Sequence, residues 1–168
     1  MIEEKLIVSD TNIFIDLISL NVLDKFFLLP CDICTTDFVI NEIAWPEQRA
    51  EIGKHIKAKK LTVVSFNYKE LLDINALKIN STISMTDCSV WYYAKKTGGR
   101  LITGDGKLRK SAEKDNVKVS GILYIFNNLV EYGIFSMPVA ATLLKHLSII
   151  NPRLPKRECE KRIGTWRN

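Results

Sequence analysis

Short apolar segments alternate with longer segments of helical periodicity along this chain, and this alternation constrains the fold more than any other feature. Strand-like apolar runs occupy residues 6–8, 33–35, 61–66, 100–103 and 117–119. Between them, apolar side chains recur at the spacing of an amphipathic helix. Short apolar strands joined by helices are typical of a parallel sheet that is covered on both faces. The sequence therefore predicts an α/β domain of three layers, with a central parallel sheet of four or five strands flanked by helices.

Capping and helix-breaking residues set the expected ends of the helices. Thr36 and Ser84 are favourable N-caps, Pro46 is favoured in a first turn, and Gly98 is a typical helix terminator. We expect helices over residues 12–23, 37–44, 46–60, 68–78, 86–97, 107–115, 122–132 and 138–150, with a short one after Pro155.

The positive charge of the chain is concentrated near its C-terminus. The 168 residues contain 24 Lys and Arg against 19 Asp and Glu, but the segment 145–168 alone holds seven basic and two acidic residues. A second basic cluster surrounds Asp105 and consists of Lys95, Lys96, Arg100, Lys107, Arg109 and Lys110. A neutral body with local basic clusters is typical of proteins that bind a polyanion, although solvated helix faces also produce this pattern.

Composition indicates a folded protein of the cytoplasm. Charged residues make up 26% and apolar residues 46% of the chain, and no apolar run approaches the roughly 18 residues of a membrane span. Cys31 and Cys34 would need a second pair to form a structural zinc site, and only the isolated Cys88 and Cys159 remain. We therefore expect reduced, buried cysteines, a cytoplasmic location and no membrane association.

Three aspartates are expected to meet at one edge of the sheet. Asp10 and Asp105 each follow an apolar strand, and Asp87 lies in the first turn of its helix. Parallel strands place their carboxyl ends at the same edge, which is where ligand sites of such sheets lie. Each aspartate also has a purely structural explanation, as a helix cap, a first-turn acid or a turn residue.

Glu42 is a fourth acid whose position needs explanation. On the predicted helix 37–44 it shares a face with Phe38, Val39 and Ile43, and a carboxylate buried there without a partner would be costly. A cluster of like charges repels unless a cation is bound among its members. Oxygen ligands without nearby His or Cys favour Mg²⁺ or Mn²⁺ over zinc.

The segments that contain these acids resemble the motifs of a known family. They are VSDTNIFI (8–15), VINEI (39–43), TDCSVWYYA (86–94) and LITGD (101–105). In order and spacing they are similar to the acidic motifs of the PIN domain, many of whose members are VapC-like toxin ribonucleases of toxin–antitoxin pairs. Further segments resemble a PIN subgroup with a longer helical C-terminus; they are LRKSAE (108–113), VSGIL (119–123), EYGI (131–134) and NPRLP (151–155).

The resemblance implies a metal-dependent endoribonuclease, the toxin of a toxin–antitoxin pair, that uses Mg²⁺ or Mn²⁺ to cleave single-stranded or loop RNA. Asp10, Asp87 and Asp105 would bind the metal directly, and Glu42 would act through a water or as a bridge. Hydrogen bonds from Asn12 and Thr103 would orient the aspartates. We expect the RNA phosphates to be bound by Arg100, Lys107, Arg109 and Lys110, together with the basic C-terminal tail.

The resemblance also implies how the chain is organised and what it binds. Residues 1–135 would form the PIN-like nuclease domain, and residues 136–168 a helical, basic extension packed on it. RNA, a cognate antitoxin and a second copy of the chain in a homodimer are the expected partners. Many relatives carry a further acid where this chain has Gly106 and Lys107, so we expect a second metal ion to bind weakly or only together with RNA.

Other classes of function compete with this interpretation. A catalytically silent PIN fold that binds RNA or protein is the main alternative, and the presence of all four acids argues against it. A metal-dependent phosphatase or a response-regulator-like domain would need an Asp-x-Asp motif, whereas position 12 is Asn. Dinucleotide binding is disfavoured because no Gly-x-Gly-x-x-Gly follows the first strand.

Overall fold

A parallel sheet of five strands forms the centre of the protein. The computed structural model describes residues 5–167. The strands are β1 (Leu6–Ser9), β2 (Asp32–Thr36), β3 (Leu61–Val64), β4 (Arg100–Ile102) and β5 (Val119–Ser120). Three successive residues of β1 and four of β2 are buried, with no alternation between faces, because helices cover both sides of the sheet. The predicted three-layer α/β class is confirmed.

Helices connect and cover the strands. In chain order they are α1 (Thr11–Ser19), α2 (Leu23–Phe26), α3 (Asp37–Glu42), α4 (Pro46–Lys57), α5 (Tyr68–Ile79), α6 (Met85–Thr97), α7 (Gly106–Lys114), α8 (Ile122–Glu131), α9 (Met137–Ile150) and α10 (Lys156–Arg167). None of those in residues 5–167 combines the length and apolarity that crossing a bilayer requires.

Several boundaries differ from the sequence-based expectations for identifiable reasons. The predicted helix 12–23 was too long, because Asn21 adopts a left-handed conformation with φ 57° and separates α1 from α2. The helix predicted over 37–44 ends at Glu42, since Ile43 is already extended. Strand β5 begins at Val119 rather than at residue 117, and the helix after Pro155 is a full 12 residues long.

The strand order places a topological switch beside β1. The order is β3-β2-β1-β4-β5, so the chain builds outward from β1 to β3 and then crosses to β4 on the other side of β1. Ser9 pairs with Ile102 in this register, which brings the carboxyl ends of β1 and β4 together. Ligand sites in sheets of this kind lie outside the strands at such a switch.

The four cysteines are free, as expected from the sequence. Cys34, Cys88 and Cys159 are buried and Cys31 is partly buried. Burial raises the pKa of the Cys31 thiol to about 11 and that of the Cys34 thiol to about 12. Both thiols are therefore protonated and poorly reactive near neutral pH, and they act as small apolar side chains.

We predict that Gly98→Ala destabilises the protein by about 1 kcal/mol, because Gly98 ends α6 in the left-handed region, where a Cβ is unfavourable. Its φ is +70°, although an added Cβ would meet no atom within 4 Å. The matched control is Gly164→Ala in α10, where space is equally open and helical geometry favours alanine by up to about 1 kcal/mol. Urea unfolding measures both variants, and the same sign of change in both would contradict the prediction.

Candidate active site

Asp10 lies at the carboxyl end of β1 and is held there by four polar contacts. Its backbone N–H donates to the carbonyl of Ile102 on β4 over 3.1 Å. The Oδ1 atom accepts from the backbone N–H of Thr11 (2.7 Å), and Oδ2 accepts from the Thr103 hydroxyl (2.8 Å). Its carbonyl oxygen accepts from Ser9 Oγ over 3.3 Å. The residue is only 2% exposed, so its carboxylate has little freedom to move.

Thr103 connects Asp10 with Asp105. Its hydroxyl oxygen donates to Asp10 and accepts from the backbone N–H of Asp105 over 3.1 Å. The Asp105 carboxylate in turn accepts from the N–H of Leu108 (2.8 Å) and so caps α7. Asp10 and Asp105 thus serve as helix caps and face the site at the same time, so the structural and functional explanations of these residues are compatible.

Asp87 and Glu42 reach the site from helices rather than strand ends. Ser84 caps α6 by accepting from the Asp87 N–H over 3.1 Å, which places Asp87 in the first turn. Glu42 is the last residue of α3, and its Oε2 accepts from the Thr11 hydroxyl over 2.8 Å. Glu42 is exposed rather than buried among the apolar residues of its helix face, and the Thr11 hydroxyl is the partner that its carboxylate was expected to need.

The four acids line one cavity of about 240 Å³. Its other lining residues are Thr11, Asn12, Ile15 and Ser84. Asn12 is exposed, and within residues 5–167 its side chain makes no hydrogen bond to an aspartate, unlike Thr103. Thr11 and Ser84 were not identified as site residues from the sequence. The only sequence signal for Thr11 is its position next to Asp10, and Ser84 was identified only as a cap.

Crowding of negative charge is the main electrostatic property of this cavity. Burial, together with the nearby charges of Asp10 and Asp105, raises the pKa of Asp87 to about 7. Burial likewise raises the pKa of Asp10, against the lowering effect of its hydrogen bonds from Thr103 and Thr11. The arrangement therefore favours a proton or a cation among the carboxylates.

The donor chemistry fits a hard divalent cation. Carboxylate and hydroxyl oxygens line the cavity, with no His or Cys among its lining residues. Such ligands suit Mg²⁺ and Mn²⁺. The side chains in residues 5–167 do not form a complete metal-binding shell, since no three acidic, His or Cys side chains have that geometry. Asp10, Asp87, Asp105 and Glu42 are the residues that could hold the ion.

A buried polar network beneath the cavity connects the helices that carry Glu42 and Asp87. Thr36 Oγ1 caps α3 by accepting from the Val39 N–H and lies 2.8 Å from Ser89 Oγ of α6. Ser89 donates to the Thr86 carbonyl (2.6 Å), so Thr36 is the donor to Ser89. Thr36 and Ser89 are fully buried, and their bond fixes α3 against α6. Sequence periodicity could not reveal this contact, because it joins residues 53 positions apart.

The basic residues near Asp105 occupy different environments. Lys107 and Lys110 are exposed on α7. Arg109 is partly buried and pairs with Glu113 over 3.5 Å. Arg100 donates to Ser120 Oγ (2.8 Å), and its guanidinium lies 4.8 Å from the centre of the Tyr124 ring. None of these four residues lines the acidic cavity.

Comparison with known proteins assigns the chain to a family. A family model described as DUF3368, a PIN domain, matches residues 6–168, and the chain belongs to this PIN-domain family. PIN domains are generally nucleases. The structure is similar to that of PAE2754 from Pyrobaculum aerophilum, with a TM-score of 0.55 and 14% sequence identity over 74% of this chain and 96% of that chain. That similarity shows a shared fold.

Two further solved structures resemble this one more distantly. One is a PilT N-terminus domain protein, SSO1118, from Sulfolobus solfataricus P2, with a TM-score of 0.44 and 12% identity over 71% of this chain and 89% of that chain. The other is FitAcB from Neisseria gonorrhoeae, with a TM-score of 0.41 and 12% identity over 70% of this chain and 99% of that chain. No curated protein matches the sequence significantly.

We predict that Asp10→Asn melts at an equal or higher temperature than the wild type in EDTA. The amide keeps an acceptor for the Thr11 N–H, its NH2 group can donate to Thr103 Oγ1 in place of the bond that Thr103 donates to the carboxylate, and it removes a buried charge that neighbouring acids oppose. The control is Asp115→Asn, because Asp115 accepts from Lys95 (2.6 Å) and Trp91 (3.1 Å) and should lose stability. Thermal melts compare the two, and a clearly lower melting temperature for Asp10→Asn would show that its charge is stabilising.

Proposed function

We propose that this PIN-domain protein is a metal-dependent endoribonuclease and acts as the toxin of a toxin–antitoxin pair. The observation that carries the proposal is the convergence of Asp10, Glu42, Asp87 and Asp105 on one cavity at the switch point of the sheet. These residues come from four separate parts of the chain, and their mutual repulsion serves no structural purpose. Membership of a family whose members are generally nucleases supports the same conclusion.

Mg²⁺ or Mn²⁺ would supply a nucleophile from water near neutral pH and stabilise negative charge on the leaving oxygen. Asp10, Asp87 and Asp105 would hold the ion, and Glu42 would contribute through a water or as a bridge. Two threonine side chains next to these acids orient them. Thr103 holds Asp10 and the backbone of Asp105, and Thr11 holds Glu42.

Single-stranded or loop RNA is the proposed substrate. The cavity is open to solvent at Asn12 and Glu42, both exposed. An open site at the sheet edge can reach the backbone of an unstacked strand, whereas a duplex keeps its backbone in a rigid helical geometry. Lys107 and Lys110 are exposed on α7, close in sequence to Asp105, and are proposed to contact the phosphates.

Cleavage of a single-stranded oligoribonucleotide is expected with Mn²⁺ or Mg²⁺ and should be abolished by EDTA. Asp10→Asn and Asp87→Asn should each reduce turnover by at least a factor of about 100, as expected when a group that stabilises the transition state is lost. Asp115→Asn, which changes an acid outside the cavity, should keep wild-type turnover. Cleavage that continues unchanged in EDTA would contradict metal dependence, and absence of cleavage would favour a silent RNA- or protein-binding module.

Metal binding is expected to stabilise the folded wild type independently of turnover. At a Mn²⁺ concentration about 100 times the dissociation constant, mass action predicts about 2.7 kcal/mol of stabilisation. Asp10→Asn should lose most of this stabilisation, and Asp115→Asn should keep it. Melting curves with and without Mn²⁺ measure the difference, and an undiminished shift in Asp10→Asn would remove Asp10 from the proposed metal site.

The proposed toxin role predicts an effect on growing cells. Induced expression of the wild-type chain in a bacterial host should arrest growth, and expression of Asp87→Asn at the same protein level should not. Growth curves with parallel immunoblots measure this difference. Equal growth with both variants would leave a nuclease without toxicity in that host and would contradict the toxin role.

A further inference from the structure

A groove of about 1280 Å³ extends from the acidic cavity toward the C-terminal part of the chain. This C-terminal groove is lined by α1, by residues of the segment 103–109, by the segment from β5 to α8, and by the connection between α9 and α10, residues 151–155, with part of α10. The groove and the acidic cavity share Asn12, Ile15 and Asp105 as lining residues, so the two form one continuous surface.

The C-terminal side of the groove is held in place by specific bonds. Asn151 Nδ2 lies 3.2 and 3.0 Å from the two carboxylate oxygens of Asp16 on α1, and Asn151 Oδ1 accepts from the N–H of Arg153. Arg162 donates to Asn127 Oδ1 of α8 over 2.9 Å. The groove is therefore a formed feature of the fold and not a gap beside a loose tail.

Burial in α10 leads to the same conclusion. Cys159 is 1% exposed and Trp166 is 7% exposed, so this helix contributes to the core. Removing the segment after Ile150 would expose apolar surface and would change stability as well as ligand binding. Point variants of exposed groove residues are therefore the appropriate probes of this surface.

The groove is lined by three acids and three arginines, and the pairing among these groups decides which positive charge can meet an anionic ligand. Apart from Asp105, its acids are Asp16 and Glu158, and both are already engaged, Asp16 by Asn151 and Glu158 by Arg162 at 3.0 Å. The exposed side chain of Arg153 has no ion pair within residues 5–167. Arg109 also lines the groove, near Gly121, and pairs with Glu113 over 3.5 Å. Arg153 is thus available to a phosphate backbone, and Arg109 can exchange its weak exposed pair for a phosphate.

The two adjoining spaces leave room for a ligand that extends beyond the acidic cavity. A cavity of about 240 Å³ can take the reacting phosphate and its ions, but an endonuclease substrate extends on both sides of the cleaved bond. The adjoining groove offers both charged and apolar lining, including Ile122, Pro152 and Leu154. Unstacked bases pack on such surfaces while cationic side chains follow the backbone.

We infer that the C-terminal groove binds the single-stranded RNA that extends from the cleavage site, with Arg153 and Arg109 as phosphate-binding residues. This inference rests on the proposed nuclease function, and it assigns to residues 151–155 a direct part in holding the substrate. The α9–α10 connection is then a wall of the substrate site.

Charge reversal at one groove residue tests whether RNA binds in the groove or is only attracted by the positive charge of the surrounding surface. Arg153→Glu and Arg157→Glu each change one exposed arginine of the same basic segment, but only Arg153 lines the groove. Both are made in the Asp10→Asn background and titrated in EDTA with a fluorescein-labelled single-stranded oligoribonucleotide, at several salt concentrations. We expect Arg153→Glu to weaken binding about tenfold and to lower the salt slope by about one, and Arg157→Glu to have a clearly smaller effect.

Each result decides the inference separately from the nuclease activity. Equal losses of RNA affinity in both variants would mean that RNA is attracted by the positive charge of the whole segment. No loss of affinity in either variant would mean that the groove does not bind RNA and is available to a protein segment. Both results overturn the inference. In the active background, Arg153→Glu should raise KM and leave kcat nearly unchanged. If the wild type binds RNA through Arg153 but never cleaves it, the groove is supported and the nuclease proposal fails. If the wild type cleaves RNA with no dependence on Arg153, the nuclease proposal is supported and the groove inference fails.

Discussion

The pairing of β1 with β4 controls the position of the whole site. Because Ser9 lies opposite Ile102 at the ends of the two strands, the residues that follow them, Asp10 and Thr103, lie against each other. Thr103 then orients the backbone of Asp105. A shift of one residue in this register would turn the Thr103 hydroxyl to the other face of the sheet. Asp87 and Glu42 depend on the same frame, since α6 packs on β1 and α3 bonds to α6 through Thr36 and Ser89.

The site combines crowded charge with a rigid apolar floor. Ile7, Val8, Leu101 and Ile102 are fully buried beneath the carboxyl ends of β1 and β4. This floor lowers the local dielectric, which increases both the repulsion among the acids and their attraction for a cation. Hydrogen bonds to Asp10 from Thr11 and Thr103 offset part of the cost of burying its charge. On the proposed role of the site, local stability is exchanged for affinity for a cation, a trade-off that is common at functional sites.

Sequence reasoning identified the features that follow from local pattern and sheet geometry. Apolar runs located the strands, and the acids that follow β1 and β4 had to share one edge of a parallel sheet. Local sequence patterns could not predict contacts between side chains that are far apart in the chain. Examples are Thr11 with Glu42 and Asp16 with Asn151, which are 31 and 135 positions apart. The break at Asn21 also escaped prediction, because an apolar helical pattern continues through a residue that adopts positive φ.

The bond between Asp16 and Asn151 has a consequence for the order in which the protein becomes complete during synthesis. A ribosome-bound chain that has emerged as far as residue 135 contains all four acids and all five strands. It still lacks Asn151, Arg153 and the far wall of the C-terminal groove. Domains fold largely as their residues emerge. On the proposed role of the groove, the nascent chain would hold RNA poorly beside the messenger and ribosome that produce it, and full substrate binding would begin only once residues 151–155 have emerged and packed.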